Sequence, residues 1–277
     1  MDTIKLGFSS CPNDTFMFAA LVNKWTENSY SFRITIDDVE ALNSSVLKGT
    51  LDISKVSCHI LPYVGEQYCF LPVGAALGRG CGPLLVTRPS FSLSDLSKAV
   101  IAVPGRYTTA YALLRLYAPE IKETQVVFSR FDRIMPEVES GKVDFGLIIH
   151  EGRFLYSQYG LKVVLDLGEW WEKKTNLPLP LGGIIAKRNL GHRFLSTFSS
   201  LLKKSILFAY NHYETVLTYV KQYACYLDEH VIKNHINLYV NQFSLDLGEE
   251  GKQAIEAFLQ LMKMNLDTPD VGKVFCI

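Results

Sequence analysis

The chain has 277 residues, with 28 basic and 28 acidic side chains and a formal net charge of zero at pH 7. That balance gives no global field toward nucleic acid or an anionic membrane, so an anionic ligand must be held by a local site. With 48% hydrophobic residues, a chain of this length buries a sizeable core as one large domain or two smaller ones.

Six cysteines (Cys11, Cys58, Cys69, Cys81, Cys225, Cys276) form no CxxC pair and no zinc-type spacing with histidine, which argues against a metal site. The start runs directly into a strand pattern without the charged and apolar regions of a secretory signal. No apolar run approaches the roughly 18 residues of a spanning helix. A cytoplasmic protein is therefore expected, its cysteines reduced and mostly buried as small hydrophobes.

In chain order, Ile4 to Phe8 reads as a strand, followed by a turn-rich Ser-Ser-Cys-Pro-Asn-Asp and helical spacing from Thr15 to Val22. Pro12, Asn13 and Asp14 suit a helix entry. Ser31 to Asp37 alternates as a strand, Val39 to Lys48 reads as a helix stopped by Gly49, and Ile53 to Val56 is a short strand with a helix from Ser57. The order βαβαβα implies a parallel sheet. Tyr68 to Val73 and Leu84 to Thr87 are further strand candidates flanking a glycine-rich loop, Ala76 to Pro83.

A second βαβαβ group follows: Val100 to Val103, a helix over Thr108 to Tyr117, Gln125 to Phe128, a helix over Ile134 to Ser140, and the buried strand Phe145 to Ile149. It repeats the organisation of the first group, although not its sequence. Lys162 to Leu167 and Gly182 to Ala186 are the last strand candidates, separated by Trp170, Trp171 and a Leu-Pro-Leu-Pro-Leu-Gly turn. From Gly191 onward the pattern is helical, with one apolar face at Phe194, Phe198, Leu201 and Leu202 and another at Ile255, Phe258, Leu259 and Met262. Two α/β lobes with a helical tail account for this order: residues 1–88 plus 187–277 as the larger lobe and 89–186 as the smaller. A ligand cleft is expected between them. The tail's apolar faces have two places to go, the chain's own lobe or a second copy in a homodimer.

His150 ends the apolar run that begins at Val143, at the carboxyl end of a buried strand, where open α/β sheets place ligands. It is the leading candidate for a working residue, against the alternative of a satisfied core histidine. Four strand-to-helix junctions are rich in small polar residues: Ser9 to Thr15, Ser54 to Ser57, Gly105 to Ala110, and His150 to Gly152. Free N–H groups at helix starts bind carboxylate or phosphate, so together these junctions suggest a polar cleft for a small hydroxylated or carboxylated molecule. The glycine-rich loop lacks the Gly-Lys-Ser/Thr ending of a phosphate loop, which leaves Arg79 free to pair a carboxylate. The other histidines, His59, His192, His212, His230 and His235, read as surface or packing residues. Cys11 and Cys58 lie near two junctions, without an identifiable base partner.

Several stretches then carry a resemblance: S-x-C-P-N-D-T-F at Ser9 to Phe16, D-V-E-x-L-N at Asp38 to Asn43, K-x-S at Lys55 to Ser57, and A-L-G-R-G-x-G-P-L at Ala76 to Leu84. Further along come P-G-R-x-T-T-A at Pro104 to Ala110, G-L-I-I-H-E at Gly146 to Glu151, L-P-L-P-L-G at Leu177 to Gly182, and N-x-F-S-L-D-x-G-E-E-G at Asn241 to Gly251. Collinear over nearly the whole chain, they resemble the 1,4-dihydroxy-6-naphthoate synthase family of the futalosine route to menaquinone. One departure is Ser10, where that family often has proline.

The resemblance implies a two-lobed fold like the type 2 periplasmic solute-binding proteins, used for catalysis in the cytoplasm. It implies conversion of cyclic dehypoxanthine futalosine to 1,4-dihydroxy-6-naphthoate with release of dihydroxyacetone, without a cofactor. The family's catalytic base falls on His150. Its substrate-contacting segments fall on Lys55, Val56 and Ser57, and on Thr109 and Ala110, with Thr108, Asn13 and Asn43 as supporting candidates. Two alternatives stay open at this point: a two-lobed binding protein without chemistry, and the sister family on the same fold that dehydrates chorismate.

Overall fold

The computed structural model describes residues 3–276. The first sheet grows from β1 (Ile4–Ser9), α1 (Pro12–Val22), β2 (Phe32–Asp37), α2 (Val39–Leu47), β3 (Ile53–Ser57), a single turn α3 (Leu61–Val64), β4 (Tyr68–Phe70) and β5 (Ala76–Gly78). The second holds β6 (Leu84–Thr87), β7 (Ile101–Val103), α4 (Thr109–Tyr117), β8 (Val126–Phe128), α5 (Phe131–Glu139), β9 (Phe145–Ile148), a single turn α6 (Gly152–Leu155) and β10 (Lys162–Asp166). Helix α7 (Leu167–Thr175) leads to β11 (Leu179–Lys187), which rejoins the first sheet. Helices α8 (His192–Asn211), α9 (Tyr213–Val220), α10 (Glu229–Tyr239), α11 (Gln242–Leu245) and α12 (Gly248–Leu266) complete the chain.

Both sheets follow one plan. The first has strand order β2-β1-β3-β11-β4, with β5 paired to β11, and the second, read in the same sense, has β8-β7-β9-β6-β10. In each, three parallel strands from a βαβαβ unit are followed by an antiparallel neighbour. The repeat expected from the element order is thus present as topology, but the all-parallel sheet is not. β11 and β6 belong to the crossings between lobes, and a strand arriving from the other lobe runs antiparallel. Because β6 is already in the second sheet and β11 in the first, the crossings lie between Gly78 and Leu84 and between Asp166 and Leu179.

Local chemistry sets the ends of these elements. Asp38 caps α2 by accepting from the N–H groups of Glu40 and Ala41 at 2.8 and 3.1 Å, and Asp166 and Asp228 cap α7 and α10 in the same way. Pro12 fits the first turn of α1, where the N–H that proline lacks has no intrahelical partner to bond. This helix is apolar almost all round and is enclosed by β1, α8 and α9.

Three stretches depart from the expected elements. The helix expected from Ser57 is only a 3-10 turn over Cys58–Ile60 followed by the single turn α3. The expected Leu-Pro turn is the first part of β11, where Leu179 and Pro180 pair with β5 through an irregular register, as a proline without an N–H requires. The Trp170/Trp171 segment is α7. Trp171 is fully buried, donates from Nε1 to the Pro178 carbonyl at 3.1 Å, and meets Phe258 of α12 edge-on.

Both apolar faces of the tail are covered by the chain itself: Leu195, Phe198 and Leu202 pack with Leu6, Phe8 and Phe18, and Ile255, Phe258 and Met262 with the core containing Leu113 and Trp171. The expectation of fully reduced cysteines fails at one pair. Phe275 bridges to Phe70 of β4, and the next residue, Cys276, forms a disulfide with Cys69 across 207 positions. Among the described residues, no helix is long and apolar enough to cross a membrane.

Candidate active site

The four polar junctions converge on one cavity of about 690 Å³, counted out to its mouth, with walls from both lobes. Asn13, Lys55, Val56, Ser57, Thr108, Thr109, Ala110 and His150 all line it. Asn43 does not. It is fully buried behind the wall, where its Oδ1 accepts from the Ser57 N–H at 3.0 Å and its Nδ2 reaches Ser57 Oγ and the Tyr107 carbonyl, both at 3.3 Å. Asn43 therefore braces Ser57 and does not face a ligand.

On the first-lobe wall, β3 is buried along its whole length, so Lys55 within it must be neutralised locally. Its Nζ lies 3.0 Å from Asp14 Oδ1 and 3.0 Å from the Gly74 carbonyl. Asp14 accepts in addition from the Ser9 hydroxyl at 2.7 Å and from Asn13 Nδ2 at 2.9 Å. Two donors of the ammonium are thus committed, and the third can meet a ligand oxygen.

On the second-lobe wall, Thr108 caps α4 by accepting from the Tyr111 N–H at 3.3 Å, and its hydroxyl donates to the Gly105 carbonyl at 2.9 Å. The Thr109 hydroxyl donates to the Leu181 carbonyl at 2.6 Å. Both hydroxyls are engaged and the Thr108 N–H donates to the Gly105 carbonyl at 3.4 Å, so this helix start offers a ligand the backbone N–H groups of Thr109 and Ala110.

His150 follows β9 with φ +55°, a left-handed conformation uncommon outside glycine. This turn sends the chain into α6 and sets the ring between Phe131, 5.2 Å away, and His235, 6.0 Å away and nearly parallel. Nδ1 lies 3.2 Å from Cys11 Sγ. Among the described residues no hydrogen bond takes up Nε2, which is left for the cavity. Burial pulls the imidazole down to about 4, with Asp14 opposing and Lys55 adding to the fall, so the ring is neutral at pH 7. Burial also holds the Cys11 thiol well above its usual range, reinforced by Glu151 and Asp14. With its proton on Nδ1, directed at the Cys11 sulfur, the ring has Nε2 as its basic nitrogen.

Two residues at the site were not legible as such. Glu151, beside the base, is 1% exposed, and His235, expected at the surface or in packing, is 0% exposed beneath the cavity. The signal for His235 is its place on the apolar face of α10, three or four residues from Val231, Ile232 and Tyr239. Cys11, His150 and Glu151 bring potential metal-ligating atoms within 4.8 Å of one another, a grouping that spacing along the chain conceals. Arg79 does pair a carboxylate, that of Glu250 at 3.1 Å on the surface, and does not line the cavity.

A family model described as menaquinone biosynthesis matches residues 4–264. A 1,4-dihydroxy-6-naphthoate synthase of Thermus thermophilus is 47% identical over 276 residues, 99% of this chain and all of the relative. The chain belongs to the 1,4-dihydroxy-6-naphthoate synthase family of menaquinone biosynthesis. A second member, from Streptomyces coelicolor, is 43% identical over 261 residues, covering 93% of this chain and 92% of its own. Among solved structures, an Archaeoglobus fulgidus protein matches with a TM-score of 0.89 at 32% identity, over 95% of this chain and 97% of that one. The alkanesulfonate-binding protein of Xanthomonas axonopodis pv. citri matches with a TM-score of 0.72 at 12% identity, over 98% and 96%. That likeness identifies the synthase fold as periplasmic-binding-protein-like, two α/β lobes around a cleft.

Proposed function

We propose that the protein converts cyclic dehypoxanthine futalosine into 1,4-dihydroxy-6-naphthoate and dihydroxyacetone in the cytoplasm, with His150 as general base. The observation that carries this reading is the placement of His150: a neutral ring with Nδ1 3.2 Å from Cys11 Sγ and Nε2 left for a cavity lined by both lobes. Nε2 removes the substrate proton whose loss begins ring opening, and the same nitrogen can return it. The carboxylate carried into the naphthoate product suits the third donor of Lys55 or the N–H groups of Thr109 and Ala110. A carboxylate at Lys55 also offsets the ammonium that weakens the base, so binding itself raises the basicity of His150. Orientation between the two walls supplies much of the rate, and lobe closure keeps water from the opened intermediate.

The test is turnover of cyclic dehypoxanthine futalosine by the native protein and by His150→Ala, following the naphthoate by absorbance and mass, with circular dichroism to confirm folding. The expected result is retained binding and a loss of about 10²- to 10⁴-fold in rate. Binding without conversion by the native protein would reject the enzyme reading of this substrate, and an undiminished rate in the variant would remove His150 as the base.

A further inference from the structure

We propose that Glu151 and His235 hold a single shared proton across the lobe interface and thereby position His150. The proposal rests on the reading of His150 as the base. Glu151 follows β9 of the second lobe, whereas His235 is on α10 of the first. Glu151 Oε2 and His235 Nδ1 are 3.9 Å apart, and both are buried without any hydrogen-bond partner among the described residues.

The orientation of Asn13 decides what this pair must contain. Asn13 Nδ2 donates to the ion-paired Asp14, so Asn13 Oδ1 is the atom that faces His235 Nε2, at 3.0 Å. A carbonyl oxygen needs a donor, so Nε2 carries a hydrogen. In the neutral ring Nδ1 is then a bare lone pair, aimed at a buried carboxyl oxygen. Two acceptors facing each other in a dry interior are costly, and one proton between them removes the conflict. Burial raises Glu151 to about 7 and holds His235 well below its usual range, so the proton resides on Glu151 and points at Nδ1.

The present separation exceeds hydrogen-bond length by about 1 Å, a gap that closing the lobes on a ligand takes up. Because Glu151 is the residue after His150, anchoring it to α10 holds the left-handed turn, and it brings the His235 ring parallel to the base.

The titratable groups facing the pair are Cys11 after β1, Lys55 of β3, His150, Cys225 and Tyr226 before α10, and Tyr239 at its end. The thiols and phenols are all held above their usual ranges and stay neutral at pH 7, and Lys55 is paired with Asp14. The proton on Glu151 is therefore the one whose loss changes the charge behind the base near neutrality. Once it leaves, carboxylate and lone pair repel, and the turn carrying His150 loosens.

The experiment compares pH profiles of kcat and KM for the native protein, Glu151→Gln and Glu151→Ala. Glutamine presents an N–H to Nδ1 at every pH. It is expected to keep kcat within about threefold at pH 6 and to abolish the alkaline decline, whereas alanine loses about thirtyfold or more in kcat with little change in KM. An alkaline limb that persists unchanged in Glu151→Gln, its absence from the native enzyme, or equal loss in both variants at pH 6 would overturn the proposal. A readout independent of turnover is ¹³C and ¹⁵N NMR of the labelled full chain. The Glu151 carboxyl should titrate above the ordinary glutamate range with a simultaneous shift at His235 Nδ1, and that shift should vanish in Glu151→Gln. Should His150→Ala stay active, the base reading fails while these NMR titrations still decide the shared proton.

Discussion

On the first-lobe wall of the cleft, Lys55, Asp14, Asn13 and Ser9 satisfy one another in a closed network, in backbone of ordinary conformation. On the second-lobe wall, His150 sits in left-handed backbone and its neighbour Glu151 keeps one oxygen without a partner among the described residues. The contrast separates two tasks. A wall that receives a charged substrate benefits from groups held in place before it arrives, and that demands complete hydrogen bonding around every buried charge. A wall that performs proton transfer tolerates strain and unsatisfied atoms, which substrate and closure resolve.

The largest test of that contrast concerns stability. Lys55→Met removes the partner of a fully buried carboxylate, and the expected loss is about 3–5 kcal/mol in urea unfolding. His150→Gly removes a side chain from a strained left-handed position and should change stability by less than about 1 kcal/mol, in either direction. If the two substitutions cost the same, the walls do not differ in preorganisation. A Lys55→Met protein as stable as the native one would mean that Asp14 becomes protonated and the network is dispensable.

The sequence shows the two walls unequally. The paired βαβαβ units, the junctions that supply Lys55, Ser57, Thr109 and Ala110, and His150 at a strand end follow from periodicity and chain order, because each belongs to a local pattern. His235 and Cys11 reach the base from 85 and 139 residues away through packing of α10 and α1, and no local pattern announces such a meeting. Asn43 illustrates the converse error. Its motif is conspicuous, yet α2 turns it toward the back of Ser57. The Cys69–Cys276 bond is hidden for the same reason, since it depends on where the last residues come to lie.

A smaller effect sharpens the comparison at the seam between the walls, where His59 of the first lobe lies with Nδ1 3.2 Å from the Thr108 carbonyl of the second. Burial lowers His59 to about 4, against a slight rise from that hydrogen bond. The unfolded chain takes up this proton near pH 6.5, the folded chain only near 4. The stabilisation is therefore complete above 6.5 and is lost as pH falls toward 4. Between pH 7 and 5 the loss from His59 alone is about 2 kcal/mol. Urea unfolding at both values should show His59→Gln losing correspondingly less than the native protein. Glu40 and Glu151, whose carboxyls are raised by burial, act in the opposite sense. An unchanged pH dependence in His59→Gln would assign the acid sensitivity to His150 and His235, at the base itself.

The smallest effect concerns how firmly the walls are held together at rest. Glu40 of α2 accepts from the Tyr107 N–H ahead of α4 through both oxygens, at 3.0 and 3.2 Å, and from Asn43 Nδ2 at 3.1 Å. Gly105 leaves the room for this contact, because a Cβ there would stand 2.4 to 2.7 Å from the Glu40 side chain. The contact joins the first-lobe wall to the second-lobe wall without touching the base. Weakening it should therefore alter the population of the closed form and leave the chemical step intact. Glu40→Ala is expected to raise KM about fivefold with kcat within a factor of about two, the consequence of about 1 kcal/mol less stability in the closed form. Gly105→Ala should do the same by steric means. A fall in kcat with KM unchanged would show instead that this contact aligns α4 for catalysis, and that the receiving wall extends across the seam.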